Sequence, residues 1–156
     1  MSRSILLIIA ITISTCSTAQ SPDKHLNTDK GLALEGYDAV AYFSEKKAVE
    51  GEAEISSKYQ GASYYFKSVA NKKAFDNNPA AYLPQYGGWC AYAMGASGEK
   101  VEVDPATFKI RDGKLYLFYN RFFNNTLTKW NENEAALQQK ANKNWSKIVG
   151  GRTTVN

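Results

Sequence analysis

Cysteine and histidine are scarce in this chain. Its 156 residues hold two cysteines, Cys16 and Cys90, and one histidine, His25. No Cys-x-x-Cys pair occurs, and no Cys/His set stands at zinc-finger spacing, which argues against a dithiol redox motif and the common structural zinc modules. Long hydrophobic runs are also missing, apart from Ser4 to Ile13, which is too short to span a bilayer comfortably. Charge of one sign is not concentrated anywhere. The formal net charge is +4, and pairs such as Lys46-Lys47 and Lys72-Lys73 lie among acids. That pattern describes a solvated surface rather than a nucleic-acid groove. No internal repeat or low-complexity tract is present, and the length suits one domain with one sizeable core.

The N-terminus reads as a targeting segment. Arg3 precedes the apolar run, and Ser17 and Ala19 give the small-residue pattern of a cleavage site, so residues 1–19 are expected to be a signal peptide cut after Ala19. The protein is then exported, periplasmic or secreted. The rival reading takes Ile13-Ser14-Thr15-Cys16 as a lipobox, with Cys16 lipidated and the chain anchored to a membrane. After cleavage at Ala19 only Cys90 remains, so no intramolecular disulfide can form. Cys90 is then a buried thiol, a metal ligand or a link between two chains.

Residues 20–35 are polar and aperiodic and read as a flexible tether carrying His25; the domain is expected over 36–149, with 150–156 as a loose tail. Within it, Asp38 is placed to cap the turn Ala39 to Phe43. Glu54 to Tyr59 and Ala62 to Phe66 flank Gln60-Gly61 as a β-hairpin, and Thr107 to Arg111 and Lys114 to Tyr119 flank Asp112-Gly113 as a second. Leu115 and Leu117 alternate with Tyr116 and Phe118, so both faces of that arm can be covered. Ser68 can cap a helix over Val69 to Asn77 that stops before Pro79. Trp89 to Met94 reads as a short helix ending at Gly95, and Asn120 to Trp130 and Glu132 to Trp145 as two more. Ala135, Leu137, Ala141 and Trp145 would dock the last of these. The sum is a small single α+β domain: two β-hairpins, short helices around them and a C-terminal helix.

The spacing of several pieces carries a resemblance. Tyr64-Tyr65-Phe66-x-Ser68 is followed by Phe75, Asn78-Pro79 and Tyr82-Leu83. Around these stand Gly36-Tyr37-Asp38-x-Val40-Ala41-Tyr42-Phe43, Pro84 to Ala93, Asp104-Pro105, Gly113 to Leu117 and Asn144-Trp145. The chain resembles the YHS domain family in its longer secreted bacterial form, from about Gly36 to Ile148. The resemblance implies an association with metal handling. Metal-type members carry cysteine directly after the Tyr-Tyr-Phe and again four residues on. Here those positions are Lys67 and Asn71, which removes the main reason to transfer a metal function.

Three constellations remain. Cys90 and Met94 are four apart and share a face if helical, giving two soft ligands suited to copper(I); both are equally good core residues. Asp38 and Asp104 could pair as carboxylates, but a cap and a turn before Pro105 explain them better. The aromatics Tyr37, Tyr42, Phe43, Tyr64, Tyr65, Phe66, Tyr82, Tyr86, Trp89 and Tyr92 form a core that can also line a pocket. The expected function is an exported, non-enzymatic binding module for a soft metal (copper) or a small ligand. Its ligand contacts are expected at Cys90, Trp89, Tyr92, Tyr65 and Tyr37, and its metal ligands at Cys90 and Met94. The alternatives are a thiol redox accessory protein using Cys90 and a structural domain for a protein partner.

Overall fold

The computed structural model describes residues 23–150. The expected signal peptide, Cys16 and the tail from 151 lie outside the described residues. Two β-ribbons and five helices share the work of enclosing two adjoining apolar clusters. The first ribbon pairs β3 (Glu52–Tyr59) with β4 (Ala62–Phe66), and Gln60-Gly61 turns between them with φ of 49° and 78°. A bulge between Glu52 and Ser56 shifts the register. The second pairs β5 (Asp104–Arg111) with β6 (Lys114–Phe118) across Asp112-Gly113, at φ 51° and 69°. Both turns take the left-handed backbone that a two-residue hairpin needs.

Helix α1 (Ala41–Ser44) follows Asp38, and α2 (Val69–Asn77) starts at Ser68, whose hydroxyl accepts from Asn71 N at 3.1 Å. Helix α3 (Ala91–Ala96) runs past Gly95, which lies against α5 (Glu134–Gly150). A Cβ on Gly95 would sit 2.6 Å from the Leu137 carbonyl oxygen, so only glycine permits this close helix crossing. Ala141 is buried in that interface, and Leu137 and Trp145 pack beside it, while Ala135 is exposed.

Every residue from Leu115 to Phe118 is buried. Leu115 and Leu117 face one cluster with Tyr42, Tyr64, Phe66 and Phe75, and Tyr116 and Phe118 face the other with Tyr86, Met94 and Trp130. Strand β6 is therefore a wall between two cores, which the alternation of its side chains produces directly.

Two expectations are corrected. The segment read as a tether is built into the fold from Asp23 onward. Strand β1 (Thr28–Asp29) pairs with β2 (Leu32–Ala33), and β2 lies parallel to β4, giving a four-stranded sheet in the order β1-β2-β4-β3. Backbone hydrogen bonds hold it, and a polar sequence can supply those as well as an apolar one. The helix expected over Asn120 to Trp130 starts late. Strands β7 (Asn120–Arg121) and β8 (Asn124–Asn125) form a miniature hairpin, and α4 (Thr126–Glu132) begins after Asn125, whose side chain accepts from Leu127 N at 3.0 Å. Phe122 and Phe123 make its turn with φ of 51° and 61°, a conformation that costs a bulky residue about 1–2 kcal/mol.

Candidate functional site

Two of the concavities among the described residues bear on function. The larger, about 1120 Å³, lies between the N-terminal segment, β4, the turns around Tyr86 and helix α5. Its apolar lining includes Leu26, Leu32, Leu83 and Trp145, and its polar lining includes Asn27, Glu35, Gln85, Arg121 and Asn142. Asn27 N donates to Gly87 O at 2.8 Å, and Trp89 Nε1 donates to His25 O at 2.7 Å, which straps residues 25–27 across one side. Gly87, at φ +64°, makes this possible. A Cβ there would come within 2.6 Å of His25 O and 2.9 Å of the Trp145 ring.

Three non-glycine residues of the lining have positive φ outside a hairpin turn: Leu34 at 55°, Glu35 at 51° and Tyr86 at 56°. Such backbone strain persists only where its surroundings impose it, and it collects at ligand sites. Tyr86 is held by its hydroxyl, which donates to Asn142 Oδ1 at 2.9 Å, and by Tyr116 and Trp145 at 6.0 and 6.4 Å between ring centres. Burial pushes its phenol up and pushes Tyr64, also in the lining, up to about 12, so both are neutral hydroxyls at physiological pH. Burial also raises the Glu35 carboxyl. Arg121 opposes that rise, while Glu102, Asp104 and Asp29 add to it.

The smaller cleft, about 280 Å³, has Cys90 and Tyr92 in its lining with Val101, Tyr119 and Thr126. The Cys90 side chain is fully buried and already bonded. Tyr119 N donates to Sγ at 3.4 Å. The Thr126 hydroxyl donates to Tyr119 O at 2.9 Å, so the thiol proton is the one shared with Thr126 Oγ1, at 3.4 Å. This is a thiol joining α4 to the end of β6.

Of the five expected ligand contacts, only Cys90 and Tyr92 line one cleft. Trp89 lies elsewhere, under the Lys100 ammonium at 5.5 Å. Tyr65 packs over Gly36, and the Tyr37 backbone bridges Glu50. Cys90 and Met94 do not share a face as expected. Cys90 precedes α3 with non-helical φ −56° and ψ 116°, and the two sulfurs belong to different clusters. Sequence reasoning missed the groove because its strap was taken for a tether. Gly87-Gly88 beside Trp89 was the one available signal, since adjacent glycines often mark a close approach of backbone.

Residues 40–86 match the YHS domain. The chain carries a YHS domain. No curated protein and no solved structure matches it. The match ends at Tyr86, so Cys90, the β5–β6 ribbon and α5 lie beyond it.

Within the YHS domain, the donor set does not fit a metal. Lys67 and Asn71 hold the two positions where the metal-type pattern has cysteines. Lys67 N and Asn71 Nδ2 both donate to Asp38 Oδ2, at 2.8 and 2.7 Å. Val40 N and Ala41 N donate to Oδ1, at 2.8 and 3.2 Å. Four N–H donors thus satisfy a fully buried carboxylate, which leaves it no role as a cation ligand. Asp104 spends its oxygens on Ala106 N and Thr107 Oγ1, as a turn residue does. Among the described residues no three His, Cys, Asp or Glu side chains form a group able to hold a metal ion.

Proposed function

We propose that this YHS domain is a non-enzymatic binding module whose small organic ligand occupies the 1120 Å³ groove. The observation that carries the reading is the coincidence of that groove with three non-glycine residues held at positive φ outside the hairpin turns, Leu34, Glu35 and Tyr86. Leu26, Leu32, Leu83 and Trp145 suit an apolar body, and the Glu35–Arg121 end suits a polar group. Among the described residues no donor set for copper supports the soft-metal form of this reading, and the bonded, buried Cys90 gives none to redox chemistry.

The test is a thermal-shift and calorimetric screen of small amphipathic molecules against the full chain and against Val149→Trp, since Val149 on α5 also lines the groove and a larger side chain there fills part of it. Binding lost in Val149→Trp supports the groove. Binding that survives it but is lost in Cys90→Ser moves the site to the smaller cleft.

Export belongs to the same proposal, resting on residues 1–19. N-terminal sequencing and intact mass of the chain from its cells test it. A start at Gln20 supports secretion, a diacylated Cys16 supports anchoring, and an intact Met1 sinks both.

A further inference from the structure

Phe122 and Phe123 are 89% and 109% exposed, and with Val69 they are the large apolar side chains that the described residues leave in water. They occupy both positions of a two-residue turn with positive φ. That turn chemistry favours Asn-Gly, so two phenylalanines there are unfavourable both for the backbone and for solvation. Among the described residues nothing covers the rings.

The surroundings argue for what does cover them. The hairpin is a narrow polar stalk of Asn120, Arg121, Asn124 and Asn125. Two phenylalanine side chains bury about 300–500 Å² between them. That is well below the roughly 1,000 Å² a specific protein interface needs. A bilayer interface has no such threshold and requires no shape complement. The charged residues between Tyr119 and Trp130 are Arg121 and Lys129, both cationic, and Lys129 Nζ donates to Asn124 Oδ1 at 2.7 Å, at the foot of the turn. Arg121 and Glu35 both line the groove. Ahead of Asp23 stand 22 residues that include the apolar run from Ser4 to Ile13 and Cys16, and lipidation of Cys16 would hold the domain at a membrane.

We propose that the Phe122–Phe123 turn is a membrane-interface anchor. Its two rings insert at the headgroup–acyl boundary of an anionic bilayer, while Arg121 and Lys129 stay level with the lipid phosphates. Two rings give weak, reversible attachment, so the turn orients a protein held by something else rather than anchoring it alone. Arg121 is shared with the groove, but Phe122 and Phe123 do not line it, so the outcome in Phe122→Asn/Phe123→Gly leaves the groove reading untouched.

Vesicle flotation of the full chain tests this, using phosphatidylcholine with and without phosphatidylglycerol. The comparison is Phe122→Asn/Phe123→Gly, which installs the favoured turn pair and so keeps the hairpin folded. Partition onto anionic vesicles should fall at least tenfold in the double variant. Arg121→Gln/Lys129→Gln should remove most of the preference for anionic over neutral vesicles. Partition unchanged in Phe122→Asn/Phe123→Gly assigns membrane binding to the N-terminal run and overturns the proposal. An unaltered lipid preference in Arg121→Gln/Lys129→Gln overturns the part given to the two cations. Sedimentation velocity covers the remaining occupant: self-association without vesicle binding, lost in the phenylalanine variant, would assign the turn to a second copy and overturn the membrane reading.

Discussion

The Asn71 side-chain amide donates to the buried Asp38 carboxylate at 2.7 Å. This one bond joins helix α2 to the entry of α1, across 33 residues of chain. Removing the amide leaves Oδ2 with a single donor, Lys67 N. Asn71→Ala is expected to cost about 1–3 kcal/mol, the usual penalty for under-satisfying a buried charged acceptor. Asp38→Asn should cost more, because its NH2 would have to meet an N–H donor. Chemical denaturation of the two variants checks the ranking, and equal stabilities would contradict it.

Cys90 should react slowly with thiol reagents in the native protein, because its sulfur is fully buried and bonded to Tyr119 N and Thr126. The labelling rate is expected to follow unfolding as denaturant is added, and copper(I) should not change it. Fast native labelling would show that the floor of the smaller cleft opens.

Glu134 gathers three donors: Lys109 Nζ at 2.9 Å, Trp130 Nε1 at 2.9 Å and Arg111 at 2.8 Å. Burial pushes its carboxyl up, but the bonds from Lys109 and Trp130 and the two positive charges outweigh that, and the folded value lies below the usual range. A depressed carboxyl stabilises the fold above its unfolded pKa and loses that contribution as pH falls through the folded one. Glu134→Gln should therefore cost about 1–2 kcal/mol at neutral pH. The gap to wild type should close under acid conditions, below the ordinary carboxylate range. A gap that stays constant with pH would mean the side chain acts by packing alone.

Gly95→Ala sets a methyl against the Leu137 carbonyl, with 2.6 Å available. Alanine favours helix by nearly 1 kcal/mol over glycine, yet a backbone clash of this kind costs about 1–3 kcal/mol. The clash should win and lower the melting temperature. A rise would show that α5 can slide away. By contrast, Phe122→Asn/Phe123→Gly relieves two strained positions and should raise stability by about 1–3 kcal/mol.

Much of the fold was legible because it is local. Gln60-Gly61 and Asp112-Gly113 announce their turns, and Ser68 and Pro79 bracket α2. The family was legible in the aromatic spacing from Tyr64 to Leu83. What was missed depends on long-range backbone contact or breaks local rules. The strap at Asn27 is tied to Gly87 through main-chain atoms, which leave no side-chain pattern. Phe122-Phe123 contradicts turn chemistry and so read as helix. The Cys90–Met94 pair depended on where α3 begins, and a start at Ala91 re-aims the thiol. The groove was not visible in advance because Leu34 and Tyr86 carry no sign of the backbone they adopt.

Strand β6 has one more consequence. Because Leu115 and Leu117 belong to one apolar cluster and Tyr116 and Phe118 to the other, neither cluster can melt while the strand stays in place for its neighbour. The domain should behave as one cooperative unit despite its two interiors, with Trp130 fluorescence and Tyr42 burial reporting the same midpoint. The amides of β6 should exchange with solvent only when the whole domain opens, making this strand the last place to admit deuterium.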